Sequence, residues 1–265
     1  MTITLPALPL GVSWSVCLRD ARSGRVLAEH GADQVVPTAS IGKVFALIEA
    51  ARRIVAGDLD PAEELGWDLD ERVADSGLWH LLRQPTLCLD DLCVLIGAVS
   101  DNLAANVVIR RLGLEPIAAT THALGLRDSA LLDRARDERR PADPAALSRG
   151  RADELSDLMA RLHRDEIIGA AVSARVRQWL AGTTDLSMVG GAFGLDPLAH
   201  RADERGVRLW SKTGTDPGVR ADIGVVETPA RTIAYAVLAH WDATGPDRRD
   251  DVLAAMRAIG TRIAG

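Results

Sequence analysis

Apolar and polar residues alternate at both ends of the chain, a period of two that is typical of β-strands. The pattern predicts strands over residues 12–18, 25–30, 208–212, 219–227 and 232–240. Ser23 and Gly24 give a turn signal between the first two strands, which therefore form a hairpin. After the last strand, apolar positions at helical spacing predict a closing helix over residues 248–263.

The middle of the chain carries apolar residues at helical spacing instead. It predicts helices over residues 40–55, 90–99, 103–112, 116–124, 151–164 and 173–180. Residues 126–148 are polar, contain Pro141 and Pro144 and are long for a connection, which favours a functional loop. We expect an α/β fold of the α+β type, in which helices cover an antiparallel sheet built from both chain ends, with an inserted all-α domain.

Composition and charge narrow the range of partners. The chain has 265 residues, 47% of them apolar and 26% charged, as in ordinary globular proteins. Its net charge of −6 comes from interleaved acidic and basic residues, so no basic stripe favours nucleic acid. The first residues lack the pattern of a secretion signal, and no segment reaches the roughly 18 apolar residues of a membrane span. We expect a cytoplasmic monomer that contacts neither membrane nor nucleic acid.

The sequence contains three cysteines, Cys17, Cys88 and Cys93, which cannot all pair within one chain. Because cytoplasmic thiols stay reduced, we expect no structural disulfide and interpret the cysteines as small buried side chains. Neither an HExxH pair nor a CxxC pair occurs, so we predict no metal site and no cofactor.

The first candidate for chemistry is the SxxK tetrad of Ser40 to Lys43, at the start of a predicted apolar helix. Residues three apart share a helix face, so the Lys43 amine can lie beside the Ser40 hydroxyl. A lysine desolvated in apolar surroundings has a lowered pKa and can accept the serine proton. Alone the tetrad is a weak signal, because serine commonly caps helices and lysine is common at surfaces.

Two further short motifs follow. Ser100, Asp101 and Asn102 lie between two predicted helices, where they can point into a shared cleft. Lys212, Thr213 and Gly214 end a predicted strand, where the missing Cβ of Gly214 lets a substrate approach closely. SxxK, SDN and KTG in this order are the motif set of class A β-lactamases and penicillin-binding proteins. The chain resembles this family through PTASIGKVFAL, VSDNLAANVVIRRLG and WSKTGTDPGVRADIGVV.

The resemblance implies a two-domain enzyme with its active site at the interface: an α/β domain of residues 1–38 and 183–265 and an all-α domain of residues 39–182. Ser40 would be acylated, Lys43 would be its base, and Ser100 would pass a proton to the leaving nitrogen. The backbone N–H groups of Ser40 and Thr215 would form the oxyanion hole. A small-molecule substrate with a carboxylate would bind the remaining family positions, which are Asn102, Lys212, Thr213, Gly214, Thr215 and Arg220.

One family position differs. Two residues past a DR pair the family has the glutamate that activates the deacylating water, whereas here Arg136 stands two residues past Arg134. A guanidinium cannot act as a general base at neutral pH. Either Asp137 or Glu138 replaces that glutamate, or deacylation is slow, or a different acceptor takes the acyl group. The disulfide of many family members would join positions matching Leu47 and Cys93, and only the second is a cysteine.

Three functions therefore stay open at the level of sequence. The first is a β-lactamase-like hydrolase that forms an acyl-enzyme on Ser40 with a β-lactam or related cyclic amide. The second is a cytoplasmic esterase, amidase or acyltransferase with slow or absent β-lactam turnover. The third, a ligand sensor or inert scaffold, is disfavoured because a scaffold has no need of every polar motif residue.

Overall fold

A computed structural model describes residues 2–73, 75–199 and 206–265. Within these residues the strands are β1 (Ser13–Asp20), β2 (Val26–His30), β3 (Val36–Pro37), β4 (Glu64–Gly66), β5 (Thr86–Cys88), β6 (Ala130–Leu131), β7 (Ser148–Gly150), β8 (Arg208–Asp216), β9 (Val219–Glu227) and β10 (Thr232–His240). Five of them form one antiparallel sheet in the order β2-β1-β10-β9-β8. Both chain ends thus supply its strands, and the predicted α+β fold is confirmed.

The helices are α1 (Lys43–Ala56), α2 (Leu89–Val99), α3 (Asn102–Leu112), α4 (Leu114–Ala123), α5 (Ala152–His163), α6 (Ala170–Leu180) and α7 (Arg249–Ala264). Each corresponds to a predicted helix. The helix expected from Ser40 is wrong at its start, because Ala39–Gly42 form a 3-10 turn and α1 begins at Lys43. Ala39 has a φ of 48°, and this left-handed conformation turns the chain sharply just before Ser40.

Two apolar layers cover the sheet because strand side chains alternate between its faces. Trp210, Ile223 and Ala236 pack in the same core as the central helices, including α1 and α5. Leu209, Tyr235 and Val237 belong to the other layer, which they form with α7. The alternation places Lys212, two residues after Trp210, on the face toward the central helices.

Helix α5 lies on the sheet although it belongs to the helical middle of the chain. It packs against β1 and β10, and the Ser15 hydroxyl of β1 accepts the Ala152 N–H at 3.0 Å. It also contacts α6. The domain limits at residues 38/39 and 182/183 stay a prediction.

The segment predicted as a long loop, residues 126–148, includes β6 and ends at the first residue of β7. These two strands and β3 form a small sheet in the order β3-β7-β6. Strands of two or three residues are too short to show a period of two, which is why the pattern missed them. The small sheet matters because β7 ties the loop to the chain just before Ser40.

The three cysteines carry free thiols, with Cys17 and Cys93 buried and Cys88 partly buried at the end of β5. Among the helices of the described residues, none combines the length and the apolar character that a bilayer crossing requires.

Candidate active site

Ser40 lies in the 3-10 turn between β3 and α1 and is 9% exposed. The positive φ of its neighbour Ala39 is costly for a residue other than glycine and persists only where surrounding contacts hold it. Such contacts come from Ser148 in β7. Its hydroxyl donates to the Ala39 carbonyl at 2.6 Å and accepts the Gly42 N–H at 3.2 Å.

The Ser148 hydroxyl has a third partner, the Thr38 hydroxyl at 2.7 Å. Because the single proton of Ser148 goes to Ala39, the Thr38 hydroxyl is the donor in this pair. Gly42 makes the close approach possible, since a Cβ there would lie 2.4 Å from the Ser148 Cβ. Ser148 thus holds the residues on both sides of Ser40.

Lys43, the first residue of α1, is completely buried. Its Nζ donates at 2.6 Å to the Ser100 carbonyl and at 2.6 Å to Asn102 Oδ1, and lies 3.4 Å from the Ser100 hydroxyl. Burial and the nearby Lys212 charge hold the pKa of Lys43 well below its ordinary value. A lowered pKa increases the neutral fraction of the amine, whose lone pair can accept a proton. The Lys43 backbone N–H donates to the Ser40 carbonyl in the 3-10 turn, but among the described residues no side-chain hydrogen bond joins Lys43 Nζ to the Ser40 hydroxyl.

Ser100 connects the two lysines. It directly follows the last residue of α2 and has a φ of 57°, a left-handed conformation that turns its carbonyl toward Lys43. Its hydroxyl accepts a hydrogen bond from Lys212 Nζ at 2.9 Å, and Lys212 also donates to the Thr213 carbonyl at 2.7 Å. Burial lowers the pKa of Lys212 to about 8, and the carboxylates of Asp185 and Asp222 partly offset this effect.

Asp101, the middle residue of the SDN motif, is a structural anchor. Its carboxylate accepts the Ala104 N–H at the start of α3 at 2.9 Å, and the Leu78 and Trp79 N–H groups at 2.7 and 2.8 Å. Asn102 donates its N–H to the Ser76 carbonyl at 2.9 Å. These bonds fix the segment before Leu78 at the edge of the site.

Gly214 in β8 has a role that the sequence analysis did not foresee. We expected its missing Cβ to admit a substrate. Instead, a Cβ there would lie 2.2 Å from the Thr38 carbonyl oxygen and 3.2 Å from the Ser40 nitrogen. The glycine therefore lets β8 pack directly on the turn that carries Ser40.

Two cavities meet at Ser40, Ser76 and Thr215. The smaller cavity, of about 130 Å³, is also lined by Ser100, Lys212, Thr213, Thr183, Thr184 and Asp185. The larger cavity, of about 250 Å³, is also lined by Asn102, Arg136, Asp137, Arg139, Asp75 and Asp216. The structure thus brings six predicted site residues to the cavities around Ser40, which are Ser100, Asn102, Lys212, Thr213, Thr215 and Asp137.

In a comparison with protein-family models, the model for the Beta-lactamase enzyme family matches residues 10–265. The chain belongs to this family. It is accordingly a serine hydrolase, and the resemblance drawn from the three motifs is confirmed. A search of curated proteins by sequence gives no match.

Solved structures share the fold. A β-lactamase from Sphaerobacter thermophilus is 24% identical with a TM-score of 0.81, over 96% of this chain and 90% of that one. A class A β-lactamase from Mycobacterium abscessus is 22% identical with a TM-score of 0.79, over 96% and 95% of the two chains. PBP-A is 18% identical with a TM-score of 0.79, over 98% and 99%.

Arg220 is a predicted ligand that the structure does not bring to Ser40. Its Nη1 donates to the Asp216 and Val219 carbonyls at 3.1 and 2.6 Å, and its guanidinium lies 6.0 Å from the centre of the Trp241 ring. It lines a separate cavity of about 170 Å³ beside Gly218. These contacts hold the side chain away from the Ser40 cavities, so its role as a carboxylate ligand stays a prediction.

Arg136, at the position of the family glutamate, lines the larger cavity, and its guanidinium is held in an ion pair. Its guanidinium donates to the Asp133 carboxylate at 2.7 and 3.1 Å, and Arg139 donates to the same carboxylate at 2.8 Å. Asn106 fixes the neighbouring Ala135 by accepting its N–H at 2.8 Å and donating to its carbonyl at 3.0 Å. The loop is held firmly with a positive charge where this family has a base.

The two candidate replacements for that glutamate differ in position. Asp137 lines the larger cavity that contains Ser40. Glu138 is exposed and is not part of the lining of either cavity that meets at Ser40. The geometry therefore favours Asp137 over Glu138 as a group that can reach an acyl-enzyme.

The sequence analysis missed a buried acid behind Lys212. Asp222 in β9 accepts a hydrogen bond from the Tyr235 hydroxyl at 3.1 Å and from the Val189 N–H at 3.0 Å. Burial and the charge of Asp185 raise its pKa to about 7. The sequence did contain a signal of this buried acid: Asp222 interrupts the apolar run of β9, and buried strands rarely contain an ionisable residue without a partner.

Proposed function

We propose that the protein forms an acyl-enzyme on Ser40 with a β-lactam or a related cyclic amide and then hydrolyses it. One observation carries the proposal: the Ser100 hydroxyl lies 2.9 Å from Lys212 Nζ and 3.4 Å from Lys43 Nζ on the wall of a cavity that contains Ser40. A nucleophile, a neutral amine, a relay hydroxyl and a cation are the groups that acyl transfer from an amide needs.

In the proposed acylation, Ser40 Oγ bonds to the lactam carbonyl carbon while its proton passes to the lone pair of Lys43. Because the two groups share no hydrogen bond at rest, the hydroxyl first rotates toward Nζ. Lys43 gives a proton to Ser100, and Ser100 gives its own proton to the nitrogen as the C–N bond breaks. The backbone N–H groups of Ser40 and Thr215 carry the developing oxyanion charge.

The substrate carboxylate is assigned to Lys212, Thr213 and Thr215, which line the smaller cavity. The substrate amide is assigned to Asn102 in the larger cavity, where Asn102 also accepts the Lys43 bond. In deacylation, water attacks the ester carbonyl, the bond to Ser40 Oγ breaks, and the hydroxyl regains a proton. Asp137 is the proposed base of this second step.

Acylation is tested by intact mass after addition of penicillin G. Wild-type protein should gain the mass of the penicillin, and Ser40→Ala should not. Turnover of a chromogenic cephalosporin that disappears in Ser40→Ala would complete the case. A protein that gains no mass with several β-lactams and turns over none of them would refute the proposal.

The base is tested by the lifetime of the acyl-enzyme in two matched variants. Since a positioned general base contributes roughly 100-fold or more to a rate, Asp137→Asn should lengthen the lifetime about 100-fold. Glu138→Gln should leave it close to wild type, because that side chain lies outside both cavities. The reverse order of the two effects would reassign the base to Glu138.

A second candidate, an esterase, amidase or acyltransferase, is favoured by Arg136 at the glutamate position. It predicts that penicillin acylates Ser40 and stays attached. Among proteins with this fold, a PBP-A mutant forms an acyl-enzyme complex with penicillin G. An adduct that clears within seconds from wild-type protein would exclude this candidate.

A further inference from the structure

The two cavities at Ser40 divide a bound substrate into two parts. Ser100, the proposed donor to the leaving nitrogen, lines the smaller cavity, as does Lys212. Asn102 and Asp137 line the larger cavity. A substrate that reacts at Ser40 therefore extends its leaving-group side into the smaller cavity and its acyl side chain into the larger one.

Asp185 is an acid in the leaving-group cavity. It lies just after α6 and is partly buried. Its Oδ1 accepts hydrogen bonds from the Ser187 N–H at 3.1 Å and the Ser187 hydroxyl at 2.6 Å. In the described part of the chain, no group donates to its other oxygen, Oδ2. The carboxylate is thus held in place by one oxygen while the second is available to a ligand.

Space continues beyond Asp185. Together with Thr184 it lines both the smaller cavity and a third cavity of about 410 Å³. Gly190, Gly191 and Gly194 line that third cavity, together with Leu186, Ser187, Leu195 and Pro197. A substituent larger than the reacting ring therefore has room to pass Asp185.

Among the described residues that line the smaller cavity, one cation and one acid lie together. Lys212 is the cation of the smaller cavity, and Asp185 and Asp222 both act on it. Arg220 lies in its own cavity beside Gly218. A substrate carboxylate on Lys212 therefore leaves the charge of Asp185 unbalanced, and a cation on the same substrate would balance it.

We infer that Asp185 recognises a cationic substituent on the leaving-group side of the substrate, next to the carboxylate that Lys212 holds. The inference rests on the proposed acylation of Ser40. The proposed substrates are cyclic amides that carry both a carboxylate and an ammonium or pyridinium group on the ring that contains the leaving nitrogen.

Two cephalosporins provide a matched test. Cephalothin and cephaloridine share the thienylacetyl side chain and differ at C3, where the first has a neutral acetoxymethyl and the second a cationic pyridiniummethyl group. Acylation rates are measured by quenched intact mass, before any later loss of the C3 group. Wild type should acylate with cephaloridine roughly tenfold faster than with cephalothin, because the pyridinium charge pairs with the Asp185 carboxylate; tenfold corresponds to about 1.4 kcal/mol.

The variants are Asp185→Asn, which removes the charge and keeps the shape, and Asp75→Asn, which changes an acid of the larger cavity. The ratio should fall to about one in Asp185→Asn and stay near ten in Asp75→Asn. High salt should lower the wild-type ratio, because salt screens the ion pair. That salt series tests the inference even if Asp185→Asn fails to fold.

The outcomes distinguish a failure of the role of Asp185 from a failure of the proposed acylation of Ser40. Equal acylation of wild type by both compounds, or an unchanged ratio in Asp185→Asn, overturns the role of Asp185 and leaves the Ser40 acyl-enzyme standing. A wild-type ratio that salt does not change overturns it as well. Absence of any adduct with either compound overturns both the inference and the proposed function.

Discussion

The hydroxyl of Ser148 decides how well the Ser40 turn is held. It satisfies the Ala39 carbonyl, the Gly42 N–H and the Thr38 hydroxyl, all buried. The φ of Ala39 needs such support, since an alanine at 48° has no preference of its own for that conformation. A change at Ser148 should therefore affect the reaction as well as the stability.

We predict that Ser148→Ala lowers the free energy of unfolding by about 1–3 kcal/mol, because it leaves buried partners unsatisfied. It should also slow acylation of Ser40 by roughly tenfold or more, since small displacements of a nucleophile are costly. Urea unfolding and acylation rates by intact mass provide the two readouts. Ser129→Ala is the matched control.

Ser129 is equally buried, and its hydroxyl accepts the Arg151 N–H at 3.2 Å, away from the Ser40 turn. Its replacement should cost stability and leave the acylation rate unchanged. If Ser148→Ala acylates as fast as Ser129→Ala, Ser148 is a structural residue without a positioning role.

The residues with predictable roles are those that occur in short motifs. Ser40, Lys43, Ser100 and Lys212 were identified because their types recur at fixed local spacing. Ser148 was not, because its contact with Gly42 spans 106 residues and nothing nearby in sequence marks it. Asp185 was missed for the same reason, since its proposed role in binding depends on the cavity that it lines and no nearby motif marks it.

At the scale of elements, the site depends on the contact between β8 and the Ser40 turn. Gly214 allows that contact, and an alanine there would place a Cβ 2.2 Å from the Thr38 carbonyl, a backbone atom that cannot rotate away. Either β8 or the turn must then shift. Because Lys212 and Ser40 lie on the two sides of this contact, a shift changes the distance between them.

We predict that Gly214→Ala destabilises the fold by about 1–3 kcal/mol, the usual cost of overpacking. It should reduce acylation of Ser40 by about 100-fold, since nucleophile and oxyanion donors separate. Gly66→Ala in β4 is the control, because its Cβ would meet neighbours at 3.5 and 3.6 Å, which is ordinary contact. Acylation at the wild-type rate in Gly214→Ala would show that the contact is not needed.

Helices and strands could be predicted where the periodic pattern of apolar residues extends over enough positions to distinguish a helix from a strand. The strands β9 and β10 and the helix α5 correspond to the predicted segments to within one residue. The start of α1 was wrong because a left-handed residue, Ala39, has no sequence signature when it is not a glycine. The loop over residues 126–148 could be recognised by its polarity, while the hydrogen bonds that fix it could not.

For the whole molecule, the consequence of the fold is that two lysines are buried within one site. Burial lowers the pKa of both lysines, and for Lys212 it does so to about 8, so Lys212 is a cation only below about pH 8. In the unfolded chain each lysine titrates near its ordinary value, about 10.4. Between about pH 8 and 10.4 the unfolded chain therefore binds more protons than the folded protein, and this contribution to stability rises with pH.

Activity should follow the opposite direction, because Lys212 must be protonated to hold a substrate carboxylate. We predict that kcat/KM, or the acylation rate, for penicillin G falls about tenfold per pH unit above roughly pH 8, as the charged fraction of Lys212 falls. A penicillin methyl ester, which lacks the carboxylate, should show no such decrease. Urea unfolding over the same pH range shows whether the fold is intact. A rate for penicillin G that keeps rising past pH 9 would mean that Lys212 does not carry the carboxylate, since a neutral amine cannot supply the charge.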